Sequence, residues 1–212
     1  MPEGKIVSPA VIRRLPRYYR YLGELLAEGI TRISSKELSE RMKVTASQIR
    51  QDLNCFGGFG QQGYGYAVHQ LRTEIGSILG IDRSHKCILI GAGNLGRALS
   101  GYDKFKKRGF IIKALFDSDP RVVGSNVNGF TVKSADEIED FVKANNIDIG
   151  VITIPKSVAQ DAADRLISAG IKGIWNFSHF EISVPDSVAL ENVHMSDSLM
   201  TLSCKISRAI KD

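Results

Sequence analysis

Three glycines, Gly91, Gly93 and Gly96, follow the apolar run 86–90 in the spacing GxGxxG. A turn of this kind can cradle a pyrophosphate. Its first glycine makes the tight turn, its second lets backbone approach the phosphates, and its third lets the next helix pack closely on the strand. Ala92, Asn94 and Leu95 would offer backbone N–H groups, and "NLGRALSGY" reads as the helix whose positive end faces the anion. The stretch "FIIKALFDSDP" is a second strand ending at Asp117, 21 residues beyond Gly96. A carboxylate there accepts hydrogen bonds from both adenosine ribose hydroxyls and repels a 2′-phosphate, which favours NAD over NADP. Arg121 argues the other way, and a turn cap in "DSDP" is the alternative use of Asp117.

The residues of a turnover enzyme do not accompany this turn. A hydride-transfer enzyme needs a substrate pocket and a proton donor held at the nicotinamide. After the strand "IKGIWNFS" only about thirty residues remain, too few for a substrate domain. His69, His85, His179 and His194 belong to no ligand or triad pattern, and nothing resembles a nucleophile elbow or a P-loop. Cys55, Cys87 and Cys204 are far apart, so neither a disulfide framework nor a zinc site is expected. That usage fits a reducing cytoplasm.

The elements around the turn alternate apolar β runs with helical segments, as in a parallel α/β sheet. "KCILI" is the first buried strand, "NGFTV" a short one, and "IDIGVITIP" a central one. "SADEIEDFVKANN" is a helix capped by Ser134 with Glu137, and "KSVAQDAADRLISAG" is a helix closed by Gly170. "IKGIWNFS" is the last strand, ending near Asn176. Ligands of open α/β sheets bind outside the carboxyl ends of the strands. Gly91, Asp117, Thr153, Pro155, Asn176, Phe177 and Ser178 are therefore expected to border one crevice.

The first eighty residues have another texture. Ser8-Pro9 opens a helix, a break is expected at Pro16, and the next helix stops at Gly29 with Leu22, Leu25 and Leu26 as its apolar face. Ser34 with Glu37 is a capping box, and Thr45 with Gln48 reads as a second, so two short helices follow in helix-turn-helix order. In the second of them Ile49 and Leu53 would face inward, and Ser47, Gln48, Arg50 and Gln51 outward. Those types can reach base edges and phosphates, although an ordinary solvated face has the same composition. "GGFGQQGYGYAV" then reads as a β-ribbon, with Gln61 and Gln62 able to reach a groove, in the place of a winged-helix wing. "LRTEIGSILGI" is a connecting helix. Charge agrees: residues 1–84 hold 12 Lys/Arg against 8 Asp/Glu, and residues 85–212 hold 16 against 15.

No apolar run approaches a membrane span, and the start has no apolar core of a secretory signal. At the other end, "VHMSDSLMTLSCKISRAIKD" reads as an amphipathic helix through Leu199, Leu202, Ile206 and Ile210. It must bury that stripe on its own domain or on a second subunit.

In order and spacing, "RRLPRYYRYL", "SSKEL", "VTASQIRQDLNCFG", "GYGY", "GAGNLGRAL", "FDSDP", "ITIP", "GIKGIWNF" and "ENVHMSDSLMTLS" resemble the Rex family of redox-sensing transcriptional repressors. The resemblance implies a cytoplasmic homodimer with swapped C-terminal helices, released from a palindromic operator by NADH while NAD+ competes for the site. It implies no catalysis. It extends the DNA-contacting set to Arg13, Arg14, Arg17, Thr45, Gly60, Gln61 and Tyr64. It further implies an inter-subunit contact joining Arg20 and Tyr102 to an acidic residue after "ENV", where this sequence has His194, with Asp197 nearby. The expected architecture is α/β: a winged-helix domain over 1–80, a Rossmann-like parallel-sheet domain over 81–193, and a swapped dimerisation helix over 194–212. A small NAD-dependent oxidoreductase and a CoA-binding regulator are the alternatives, since CoA-binding domains share this sheet plan.

Overall fold

The first of two units, Met1–Arg83, is organised around one long helix, α1 (Pro9–Ala27). The computed structural model describes residues 7–56, 60–61 and 64–209. Ser8 accepts the Val11 N–H and Pro9 takes the first helical position. The helix does not break at Pro16 as the sequence suggests. Pro16 lies on the exposed side, where water can serve the carbonyl it leaves without a partner, while Val11, Leu15, Tyr18, Leu22 and Leu25 bury one continuous stripe before and after it. Gly29, at φ 77°, ends the helix: its N–H donates to Leu26 O and that of Ile30 to Leu25 O.

β1 (Arg32–Ile33), α2 (Ser35–Met42), α3 (Ala46–Asn54), β2 (Gly60–Gln61), β3 (Gly65–Ala67) and α4 (Val68–Ile78) follow. The Ser34–Glu37 capping box is complete, at 3.1 and 2.8 Å. The second box forms only in half. Thr45 accepts the Gln48 N–H at 3.1 Å, but the Gln48 amide bonds to Asp52 instead of returning to the cap. β3 lies antiparallel between β1 and β2, so the ribbon is anchored by a third strand. Gly65 has φ 67°, and a Cβ there would stand 2.5 Å from Ile33 O, so only glycine fits. Residues 57–59 and 62–63 of the ribbon, Gln62 among them, lie outside the described residues. Leu15, Leu22, Leu38, Met42, Ile49 and Leu53 form a common core with Leu71 and Ile75 of α4.

The second unit, Ser84–Asp212, is a parallel sheet. Its elements are β4 (His85–Ile90), α5 (Asn94–Ser100), β5 (Phe110–Asp117), β6 (Asn126–Val127), β7 (Phe130–Thr131), β8 (Lys133–Ser134), α6 (Ile138–Asn145), β9 (Ile149–Ile152), α7 (Ala159–Ser168), β10 (Gly173–Asn176), β11 (Ala189–Asn192) and α8 (Met195–Ala209). Six strands run in the order β11-β10-β9-β4-β5-β8, every pair parallel. The chain builds outward from β4 to one side and then returns to build the other, so the strand order reverses beside β4. "IKGIWNFS" is therefore not the last strand: β11 adds an edge beyond it. "NGFTV" contributes not a sheet strand but one arm of the separate β6–β7 hairpin. Ile88, Ile90, Phe116 and Ile152 bury one sheet face with Leu166 of α7, and Leu89, Leu115 and Val151 bury the other with Phe177.

Met195, Leu199, Met200, Leu202 and Ile206 of α8 are all more than half exposed, so the apolar stripe of this helix is uncovered in the single chain. Ile210 lies outside the described residues. No helix among those described is long and apolar enough to cross a membrane.

Candidate dinucleotide crevice and nucleic-acid surface

The three glycines of the turn do three separate things. Gly91 sits at φ 98°, and a Cβ there would meet Ile154 Cγ2 at 2.8 Å and Thr153 O at 2.9 Å, so the turn requires glycine. Nothing lies within 4 Å of a Cβ at Gly93, which faces open space. At Gly96 a Cβ would stand 1.9 Å from Gly91 O, which lets α5 close directly onto β4. Thr153 Oγ1 lies 2.9 Å from Gly91 O and 3.0 Å from Ile90 O, pinning the turn from β9's carboxyl end.

Asp117 closes the far side. Its Oδ2 accepts the Ala92 N–H at 2.7 Å and its Oδ1 the Asp119 N–H at 2.9 Å, which fixes the carboxylate and leaves each oxygen a further lone pair. Gly91, Gly93, Asp117, Thr153 and Pro155 line one cavity of about 370 Å³, a size suited to a small-molecule or cofactor site. Asp161 and Arg165 also line it, and sequence reasoning missed both because their helix, α7, carries no motif. Ala92 is buried, Asn94 is exposed at the start of α5, and Leu95 packs inward with Ala92 and Phe177.

Asn176, Phe177 and Ser178 do not line this cavity, contrary to expectation. All three are buried, one strand further from the turn. The Asn176 amide is spent locally: Nδ2 donates to Phe180 O and Asn192 Oδ1, and Oδ1 accepts the Ser178 N–H and hydroxyl. A second cavity of about 460 Å³, lined by Leu99, Phe105, Ile112, Trp175 and Leu190, is apolar and holds no phosphate-binding turn. Among the described residues no group of three or more His, Cys, Asp and Glu could hold a metal ion. Burial pushes the Cys87 thiol up to about 12, so it is no nucleophile.

In the first unit, Ser47, Arg50 and Gln51 of α3 are exposed as expected and share a shallow hollow with Asn54 and Cys55. Asn54, one turn beyond Arg50, was legible from helical spacing and overlooked. Arg50 Nη1 donates to Ser35 Oγ at 3.0 Å. Gln48 departs from the outward set. Its Nε2 donates to Asp52 Oδ1 at 2.8 Å.

Asp52, fully buried, also accepts both Nε and Nη2 of Arg14 at 2.7 Å and the Tyr18 hydroxyl at 2.9 Å. Burial opposes its ionisation, but the bonds from Arg14, Gln48 and Tyr18 prevail and hold its carboxyl below the ordinary value. Burial, then the bond to Asp52, pushes the Tyr18 phenol up, so it remains a donor.

Arg13 is exposed on α1, and Arg17 donates to Met42 O and lies over the Tyr21 ring. Thr45 caps α3, Gly60 and Gln61 form β2, and Tyr64 is exposed beneath the Arg32 guanidinium. Arg20 lies over the same Tyr21 ring, at 5.6 Å. In the second unit, Tyr102 is exposed and packs edge-on to Phe105. His194 lies 5.9 Å from the His179 ring, and Asp197 N–H donates to His194 O in the first turn of α8.

Two family models match the chain: a putative DNA-binding protein N-terminus over residues 6–54 and a CoA-binding domain over residues 82–180. The redox-sensing transcriptional repressor Rex of Clostridioides difficile (strain 630) is 59% identical over 203 residues, covering 96% of this chain and 97% of that protein. The Rex protein of Thermoanaerobacter sp. (strain X514) is 57% identical, covering 98% and 92%. Among solved structures, RSP in complex with beta-NAD+ and operator DNA matches with a TM-score of 0.91 at 56% identity, covering 97% of this chain and 95% of that one. RSP in complex with beta-NADH matches with a TM-score of 0.89 at 53% identity, covering 97% of each. The chain belongs to the Rex family of redox-sensing transcriptional repressors.

Proposed function

We propose that this protein is a DNA-binding repressor that senses the NADH/NAD+ ratio, NADH binding releasing it from operator DNA, and that it has no catalytic activity of its own. The observation that carries the reading is the turn itself. Gly91, Gly93 and Gly96 each have the geometry a pyrophosphate turn needs, opposite a fixed Asp117, in a chain that also carries a helix-turn-helix and ribbon. The complexes of RSP with NAD+, operator DNA and NADH support it.

In this reading the backbone from Gly91 to Gly96, with Ala92, Asn94 and Leu95 between, holds the dinucleotide; Asp117 takes the adenosine ribose; and Thr153 and Pro155 border the nicotinamide half. Asn176, Phe177 and Ser178 act from behind, as the floor of that half. Ser47, Arg50 and Gln51 enter the major groove. Arg13, Arg17, Thr45, Gly60, Gln61 and Tyr64 position the module on the backbone, and Arg14 and Gln48 act through Asp52. The working form is a cytoplasmic homodimer joined through α8, with the Arg20, Tyr102, His194 and Asp197 contacts part of the switch, and it occupies a palindromic operator.

NADH and NAD+ differ chiefly in the charge of the ring. Placing the neutral dihydronicotinamide against apolar groups costs little, whereas the cationic ring there loses hydration without an anion to compensate. NADH therefore favours a dimer state whose two recognition helices no longer match successive major grooves. Moving the population from 1:99 to 99:1 requires a preference of about 5.5 kcal/mol, and operator binding must weaken NADH binding by the same factor that NADH weakens operator binding.

Gel-shift titration on a palindromic AT-rich operator tests the reading. NADH releases the DNA, and NAD+ in excess restores the complex; an operator complex indifferent to saturating NADH refutes it. The CoA-binding family model gives a second reading some weight. A thermal melt with NADH, NAD+, NADPH and an acyl-CoA separates the two, with NADH giving the largest shift. Arg50→Ala is expected to weaken operator binding by about 1–3 kcal/mol while the NADH-induced melt shift persists. Unchanged DNA affinity in fluorescence anisotropy removes Arg50 from the interface.

A further inference from the structure

The loop that carries Asp117 also carries Arg121, the only Lys or Arg between Asp117 and Val132. An arginine at this place is the natural receptor for a 2′-phosphate, because its planar fork matches phosphate oxygens. Here one edge of the fork, Nε with Nη2, is already engaged, while the side chain stays largely in water. Arg121 Nη2 donates to Asp119 Oδ2 at 2.7 Å, and Nε to both Asp119 oxygens at 3.0 and 3.2 Å. Asp119 is coupled in turn to the ribose-side carboxylate, since its own N–H donates to Asp117 Oδ1.

The neighbouring cations repeat the arrangement. Lys133, one residue before the Ser134 that pairs with Asp117 in the sheet, holds Glu137 at 3.2 Å. Arg165, in the cavity wall, makes a two-point pair with Glu139. Arg121, Lys133 and Arg165 thus each pair with a carboxylate, while among the described residues no cation pairs with Asp117.

We propose that Asp119 is a specificity residue: by occupying Arg121 it withholds the loop's cation from a 2′-phosphate, and so seconds Asp117 in excluding NADP(H). This deepens the dinucleotide reading and rests on it. Exposed ion pairs contribute little to stability. The Asp119–Arg121 pair therefore acts through selectivity, and its removal shows in the preference between cofactors.

The experiment is titration of the full-length protein with NADH and NADPH, followed by nicotinamide fluorescence. Asp119→Asn keeps an acceptor for the Arg121 backbone N–H, which Asp119 Oδ1 now receives at 2.9 Å, and removes the charge that holds the guanidinium. The ratio of NADPH to NADH affinity is expected to rise by about two- to fivefold, the range that an exposed pair of this kind can withhold. The double variant Asp119→Asn/Arg121→Ala is expected to return to the original ratio. An unchanged ratio in Asp119→Asn overturns the inference, as does a gain that survives removal of Arg121. If the unmodified protein binds no NADH at all, the dinucleotide reading beneath it fails instead.

Discussion

Gly96→Ala is expected to bind no dinucleotide at concentrations that saturate the unmodified protein, and its operator complex is expected to survive added NADH. The cause is one methyl group placed 1.9 Å from Gly91 O and 2.9 Å from Leu89 Cδ2. Gly91 cannot retreat. Its N–H is bonded to Phe116 O at 2.8 Å, its carbonyl to Thr153, and Ile154 stands behind it. The start of α5 must move instead, and with it the N–H groups of the phosphate turn. Overpacking of this kind costs about 1–3 kcal/mol and is expected as a lowered melting temperature for the second unit. Gly93→Ala separates the two effects. Its Cβ meets nothing within 4 Å, so the fold keeps its stability while the methyl group intrudes where the pyrophosphate must approach. Calorimetry in which Gly96→Ala takes up NADH with unaltered affinity would place the site elsewhere.

Asp52→Asn is expected to be the most damaging single change in the first unit. Three side chains from two helices converge on that carboxylate, and its removal leaves the Arg14 charge and two hydrogen bonds uncompensated. Breaking a buried pair from one side costs about 3–5 kcal/mol, and the lower figure applies because Arg14 keeps 34% of its side chain in water. For a unit of this size that is a fall of at least about 10 °C in Tm. Replacing both partners together, Arg14→Met with Asp52→Leu, is expected to recover much of the loss.

The acid dependence has a definite sign. Asp52's folded value lies below its unfolded one, so its contribution is complete above about pH 4 and is lost as pH falls through the lowered value. Asp52→Asn removes that part of the acid transition. A variant that melts with the unmodified protein and keeps its acid profile would show that the cluster contributes nothing. Because α3 carries Ser47, Arg50 and Gln51, loosening its tie to α1 should also weaken operator binding without changing any group on the recognition surface.

The most legible parts of the sequence were those whose cause is local. The glycine triplet, the Ser34–Glu37 box, the Gly29 stop and the helix–strand alternation each depend on residues within a few positions of one another, and each is found where its pattern lies. Pro16 misled because proline's cost depends on which side of a helix faces water, and that is decided by a stripe packing against α3 and α4. Asp52 was missed because its bidentate partner, Arg14, is 38 residues away. The half-formed box at Thr45 has the same origin, since Gln48 prefers the buried carboxylate to its own cap. β11 escaped notice because an edge strand needs no apolar run: Ala189 and Glu191 are exposed and Leu190 and Asn192 half-buried. The same unseen strand places Asn192 against Asn176, which is why the residues after β10 turn to each other and away from the crevice.

Between that edge strand and the terminal helix the chain has almost no slack. Asn176 grips Asn192 through its amide and the Val193 N–H through its carbonyl, and α8 begins at Met195. His194 alone remains as the tether, and fully stretched one residue reaches about 3.5 Å. The helix can thus pivot on the rim of the sheet but cannot travel from it. A device built this way transmits angle, not distance: a few degrees imposed at the base sweep a wide arc at the far end of a fifteen-residue arm.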